Sequence, residues 1–138
     1  MTNVLLHIGA TIPSAEDVTK FRPLVDALGA RLHVIYTHAD PLSAGGQADM
    51  GTAGMPALHQ AMEAEARQKL ADVFGDDADA AMIQIRAGDA IRAIVEYTNA
   101  TQIDLIVIGL ASEGDEETSL ARAVLDATTC SLLVWRSR

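Results

Sequence analysis

Cys130 is the only cysteine in the chain, so no internal disulfide can form and the redox chemistry of paired thiols is excluded. Aromatic rings are scarce as well: two Phe, two Tyr and one Trp, in a sequence that is 49% hydrophobic. The core must therefore be aliphatic and alanine-rich, the composition of helices packed on a sheet. Basic charge is in deficit, with 10 Lys and Arg against 19 Asp and Glu and a net charge of -9. Sequence-independent binding to DNA, RNA or an anionic membrane needs a basic surface, and no basic stripe offsets this balance. No apolar run approaches the roughly 20 residues of a membrane span, and Met1-Thr2-Asn3-Val4 lacks the basic opening of a secretory signal. The chain is expected to be soluble and cytoplasmic, with no nucleic-acid or membrane partner.

The motifs of common α/β cofactor sites are missing too. A dinucleotide fold needs G-x-G-x-x-G after its first strand, and here that turn reads H-I-G-A-T-I-P. A P-loop needs a lysine after its glycines, and the stretch from Gly109 to Gly114 leads to Asp115 instead. A phosphoacceptor domain needs acids after the first strand to hold magnesium, and Gly9, Ala10 and Thr11 supply none. No Ser-His-Asp or Cys-His set has positional support; Cys130, before an apolar strand, reads as a small buried hydrophobe.

What is present is a regular alternation of elements. Val4 to Ile8, Leu32 to Thr37, Leu105 to Ile108 and Ser131 to Trp135 are near-continuous apolar runs, as expected of parallel strands covered on both faces. Ala81 to Arg86 alternates apolar and polar residues, which suggests an edge. Between them lie helical patterns. The first starts at Ser14 with Asp17 three residues on, places Val18, Phe21, Val25 and Leu28 on one face, continues past Pro23 with a kink, and stops at Gly29. The second, Pro56 to Phe74, stacks Leu58, Met62, Ala66 and Leu70. The third starts at Asp89 with Ile91, Ile94, Val95 and Thr98 on one face, and the fourth runs from Thr118 to Thr128. This order points to one α/β domain over residues 1–138, a parallel sheet with right-handed crossovers.

Two stretches stand out. His38 to Met55 is long, irregular and rich in Gly, Ala, Asp and Pro, so it reads as a mobile or functional loop. Within and just after it, His38, Asp40, Asp49 and His59 offer metal-ligating side chains, but their spacing matches no compact ligand pattern and no metal is expected. His7 and His33, inside apolar strands, read as hydrogen-bonded core or sheet-end histidines. The second stretch, DLIVIGLASEGDEETSLARAVL from Asp104, ends a strand at Gly109 and enters a helix through Glu113, Asp115, Glu116 and Glu117. A glycine-ended strand before a helix is where many α/β proteins hold phosphate, yet this one carries four carboxylates and no cation. Carboxylates in a first helical turn accept free N–H groups and oppose the helix dipole, each contributing about 0.3 to 1 kcal/mol.

The order of elements, with the phrases ALGARLHVIY, AGDAIRAIVEYTNATQIDLIVIG and TSLARAVLDATTCSLLVW, resembles the universal stress protein family over nearly the whole length. The resemblance implies a three-layer sandwich: a five-stranded parallel sheet in the order 3-2-1-4-5 with helices on both faces. It also implies a homodimer that pairs through the last strand, Ser131 to Trp135. Members that bind ATP carry G-x2-G-x9-G-[ST] after the fourth strand. Here Gly109 matches the first glycine, Ser112 stands at the second, and Thr118-Ser119 aligns with the closing pair, but the connection is four residues short. The aspartate that binders place near adenine at the end of the first strand corresponds to Gly9. Like charges about 4 Å apart repel by roughly 1 kcal/mol in bulk water and about 4 kcal/mol at an effective dielectric near 20, so the acidic entry disfavours a triphosphate.

The expectation is a non-enzymatic, stress-response regulatory dimer of the branch that does not hold ATP, with no cofactor and a protein partner or unidentified ligand. Gly9, Gly109, Thr118 and Ser119 are the residual nucleotide-site positions. The alternative is an ATP-binding member with weak or no hydrolysis, in which Gly109, Thr118 and Ser119 reach phosphate through magnesium. A metal sensor built on the His38 to His59 region is a third.

Overall fold

The computed structural model describes residues 2–9, 12–38, 51–75, 82–110 and 116–135, with the main chain alone described at 51–59 and 116–117. Five strands and four helices alternate: β1 (Thr2–Ile8), α1 (Ala15–Leu28), β2 (Ala30–His38), α2 (Gly51–Phe74), β3 (Ile83–Ala87), α3 (Ala90–Ala100), β4 (Leu105–Ile108), α4 (Glu116–Ala127) and β5 (Ser131–Val134). All pairings are parallel, in the order β3-β2-β1-β4-β5.

β1 holds the centre because it can be buried on both faces. Val4 through Ile8 are all buried, and its alternate side chains enter two different cores. Val4, Leu6 and Ile8 meet Val18 and Phe21 of α1 and Leu70 and Phe74 of α2. Leu5 faces the other way, into a cluster with Ile94 of α3 and Val124 of α4. Period-two alternation on a strand thus generates three layers, and each large aliphatic side chain so buried contributes about 1.5 to 3 kcal/mol. β3 and β5 form the edges, with burial confined to part of each strand, which is the position the alternating AMIQIR segment calls for.

Local signals set the helix ends. Ser14 caps α1: its Oγ accepts from the Asp17 N–H at 3.2 Å while the Asp17 carboxylate accepts from the Ser14 N–H at 3.0 Å, a reciprocal pair that satisfies two otherwise free donors. Gly29 closes the same helix in the left-handed region at φ 57°. Pro23 lies inside α1, which runs through it as one helix. Asp89 caps α3 by accepting from the Ile91 N–H at 3.0 Å.

Some expected boundaries and burials shift. α2 begins at Gly51 rather than Pro56, and residues 39–50 of the expected loop, with Asp40 and Asp49, lie outside the described residues. β3 runs from Ile83 to Ala87 rather than from Ala81 to Arg86. Leu28, assigned by periodicity to the apolar face of α1, is 41% exposed. It is the last helical residue before the Gly29 turn, where the helix has reached the end of the sheet. Among the described residues no helix is long and apolar enough to cross a membrane.

Candidate functional site

The chain leaves β1 through α1 to reach β2 on one side, whereas β4, on the other side of β1, is entered from α3. The crossovers therefore diverge at the carboxyl ends of β1 and β4, the switch point where open parallel sheets form their ligand crevice. Gly9 directly follows β1 and Gly109 directly follows β4, so two of the expected site positions lie at that end of the sheet, offset by one residue in the β1–β4 register.

The two glycines differ in conformation. Gly109 has φ 108°, a region that L side chains rarely adopt, and a methyl group on it would collide with the main-chain oxygen of Trp135. Trp135 is held there by its N–H, which donates to the Ile108 carbonyl at 2.7 Å, and by its indole, which stands edge-on to Phe21 with ring centroids 5.5 Å apart. Gly9 needs no such conformation. A methyl group on it would make an ordinary contact, 3.8 Å from Cε1 of His7.

Thr118 and Ser119 lie on the first turn of α4, two and three residues after its start at Glu116, and both are exposed. Ser112, Glu113 and Asp115 lie outside the described residues, as do the side chains of Glu116 and Glu117.

Polar side chains under the crevice serve the sheet. His7 is 5% exposed, and its Nε2 is hydrogen-bonded with Oγ1 of Thr37 on β2 at 2.8 Å. Burial pushes its pKa from 6.5 down to about 4, so the ring is neutral at physiological pH. His33 lies toward the opposite end of the sheet in a longer chain of contacts. The Asn3 amide Nδ2 donates to the Gln102 carbonyl at 3.0 Å, which leaves Oδ1 of Asn3 as an acceptor for His33 Nε2 at 3.2 Å. With Nε2 carrying the proton, Nδ1 of the neutral ring accepts from the Tyr97 hydroxyl at 2.6 Å. Burial, and secondarily the charge of Arg31, lowers the His33 pKa.

Asp104 ties the same end together, accepting from the Asn3 N–H at 2.7 Å while its own N–H donates to the Asn3 carbonyl at 2.8 Å. Cys130 is half-buried rather than fully buried; its Sγ–H donates to the Ile103 carbonyl at 3.1 Å, and burial and then Asp104 raise its pKa away from the reactive thiolate.

Among the described residues no group of three or more His, Cys, Asp or Glu is placed to hold a metal. His38 stacks on Tyr36 with centroids 5.9 Å apart, and the side chain of His59 is outside the described residues. The residues missed in the sequence are Trp135, whose approach to Gly109 is long-range, and Asn3 and Tyr97, the partners of His33, which is itself the hydrogen-bonded sheet histidine expected. The expected last strand, Ser131 to Trp135, ends at Val134, and the single tryptophan just beyond it was the available signal for the first.

Five parallel strands wound both ways from a central β1, with glycines at the switch point, define a doubly wound α/β protein with its crevice above β1 and β4. Within that class, the model of the universal stress protein family matches residues 13–136, and the chain belongs to that family. No protein of curated function matches the sequence. Its fold is shared with a protein of the universal stress protein family from Burkholderia pseudomallei, at TM-score 0.64 and 17% identity, covering 99% of this chain and 96% of that one. It is also shared with a universal stress protein from Archaeoglobus fulgidus, at TM-score 0.55 and 12% identity, covering 97% and 98%. A universal stress protein in complex with cAMP matches at TM-score 0.51 and 20% identity, covering 99% and 98%.

Proposed function

We propose that this member of the family is a dimeric stress-response protein that acts in the cytoplasm through protein contacts or a small ligand, without catalysis and without holding ATP. The observation that carries the reading is the chemistry of the crevice. The two strand ends present glycines, and the chain enters α4 through Glu113, Asp115, Glu116 and Glu117 with no lysine or arginine among them. A triphosphate there would meet uncompensated negative charge in a partly desolvated setting, where repulsion is several times stronger than in water. His7 and His33, the histidines nearest to catalytic use, are committed to hydrogen bonds inside the sheet. Thermal unfolding with and without Mg-ATP tests the reading, since a ligand that binds only the native state adds about 2.7 kcal/mol at 100 times its Kd. No shift at millimolar Mg-ATP is expected; a rise of several degrees refutes it.

The cAMP complex of a relative favours a second reading, a nucleotide-binding member. On that reading Gly109, Thr118 and Ser119 contact phosphate, with magnesium offsetting the acids when the ligand is ATP, and the same melts with cAMP or Mg-ATP would show stabilisation.

Support for dimer formation comes from the exposed edge. β5 pairs on one side only, with β4, and Val134 is 37% exposed beside α4, where Leu125 is 56% exposed. An apolar edge strand with unpaired main-chain groups is stabilised by pairing with another copy. Val134→Asp is expected to halve the sedimentation mass, and an unchanged mass removes this interface.

A further inference from the structure

The Gln102 carbonyl has no proton to give, and that fixes the direction of every bond in the side-chain series at the amino end of the sheet. Nδ2 of Asn3 must face this carbonyl, so Oδ1 of Asn3 must face His33, and Nε2 of the ring must carry the proton. Nδ1 is left as an acceptor, and the Tyr97 hydroxyl 2.6 Å away is its donor. Burial raises the Tyr97 pKa, which keeps that hydroxyl protonated, and the Thr101 side chain is its other hydrogen-bonding neighbour. Thr101 in turn caps the C-terminus of α3, its N–H donating to the Tyr97 carbonyl at 2.9 Å. Thr101 and Gln102 are consecutive, so the series leaves the turn between α3 and β4, passes through β2 and β1, and returns to the same turn.

We propose that this closed series is a proton-operated switch: a proton taken up at Nδ1 of His33 reverses the Tyr97 hydroxyl, so that acid acts on the last turn of α3 while the bond from the ring to Asn3 is kept. An imidazolium donates from both nitrogens. The Nε2 side already donates and needs no change. The Nδ1 side would meet the hydroxyl proton head-on across 2.6 Å, so the hydroxyl must turn, accept from Nδ1 and donate to Thr101, whose own hydroxyl turns to solvent from a half-buried position. The one new covalent bond is Nδ1–H, its proton drawn from water. Burial first, and then Arg31 two residues earlier on β2, oppose the proton, so uptake falls below the ordinary imidazole range. On the far side of Asn3, the Asp104 carboxylate accepts from the Asn3 N–H and lies near the Cys130 thiol. Arg86 of β3 acts on Tyr97, and Glu96 of α3 is paired with Arg92. Among the described residues the ring's partners are Asn3 and Tyr97 and not a carboxylate, so the hydroxyls are what accommodate the charge. The switch does not depend on what the crevice holds.

NMR titration of the full chain tests the switch. At neutral pH the ring nitrogen shifts of His33 should show the tautomer protonated on Nε2; a proton on Nδ1 overturns the direction of the series. On acidification the Thr101 methyl resonance should follow the His33 midpoint, and a methyl that ignores this titration overturns the switch. In Y97F the ring still titrates but the Thr101 response should vanish; if it persists, the ring charge acts through space and the hydroxyl relay is refuted. T101V leaves both contacts of the ring in place and removes only the acceptor that the turned Tyr97 hydroxyl needs. The proton affinity of His33 should therefore fall by about threefold or more in T101V, because the charged form loses a hydrogen bond. Equal affinity overturns the relay. The tautomer and the Thr101 titration are read on the native protein, so the outcome is decided even if a variant folds poorly.

Discussion

Gly9 and Gly109 follow neighbouring strands at the same end of the sheet, yet only one of them is a glycine for a reason internal to the fold. Gly109 combines φ 108° with the Trp135 oxygen where a side chain would begin, whereas Gly9 adopts no left-handed conformation and, among the described residues, a side-chain carbon there would meet only His7 at ordinary contact distance. A glycine in a motif position is therefore not evidence of a ligand until its own neighbours have been accounted for. At β4 the chain's own peptide is the neighbour. At β1 packing leaves the position open, and the group that packing constrains is His7, two residues earlier in the strand.

The strongest test of this contrast is a pair of alanine substitutions. Gly109→Ala must place a side chain at a strained φ and push the Trp135 peptide out of the β4–β5 ladder, a combination expected to cost about 3 kcal/mol or more. Gly9→Ala is expected to change stability by less than about 1 kcal/mol. Urea denaturation midpoints of the two variants measure the difference directly, and comparable losses would break the comparison.

The next effect is acid sensitivity centred on the β1 end. The folded-state pKa of His7 is about 4 against an unfolded value of 6.5. The depressed value means that the native state favours the neutral ring. Its contribution is fully present above pH 6.5 and is lost as the pH falls through about 4. A difference of this size corresponds to about 3 kcal/mol. His33 adds a contribution of the same sign, since its pKa is also lowered. Unfolding free energies of the native chain and His7→Gln between pH 7 and pH 4 should show a shallower slope in the variant. Identical slopes would remove His7 as a titrating group.

Most of the architecture was legible because burial on two faces leaves a direct mark on sequence in the apolar runs of β1, β2 and β4, and because the alternating edge β3 and the caps at Ser14, Gly29 and Asp89 carry their own signals; β5, also an apolar run, is an edge strand with none of its residues fully buried. Errors arose where polar residues do strand or helix work. β1 starts at Thr2, two residues before its apolar run, because Asn3 pairs with β2 and bonds the Asp104 turn. α2 starts in a Gly-containing segment that propensity reads as loop. At the crevice, the carboxylates after Gly109 and the glycine at position 9 could be read residue by residue, since charge is a property of composition. The Gly109–Trp135 approach could not, because it depends on where two distant segments meet in space.

The smallest and sharpest test places a carboxylate at Gly9. The first side-chain carbon of an aspartate at this position would lie 3.8 Å from Cε1 of His7, putting its charge within reach of the imidazole. A carboxylate at about 4 to 6 Å stabilises the protonated ring and raises its pKa. Gly9→Asp should therefore move the folded-state value of His7 upward from about 4 toward 6.5. Less stability is then lost on acidification, even though the protein is no more stable at neutral pH. Titration of the His7 ring protons by NMR reads the shift without reference to any ligand. An unmoved His7 would mean that the added carboxylate turns away from the imidazole, and would remove the coupling between the two positions.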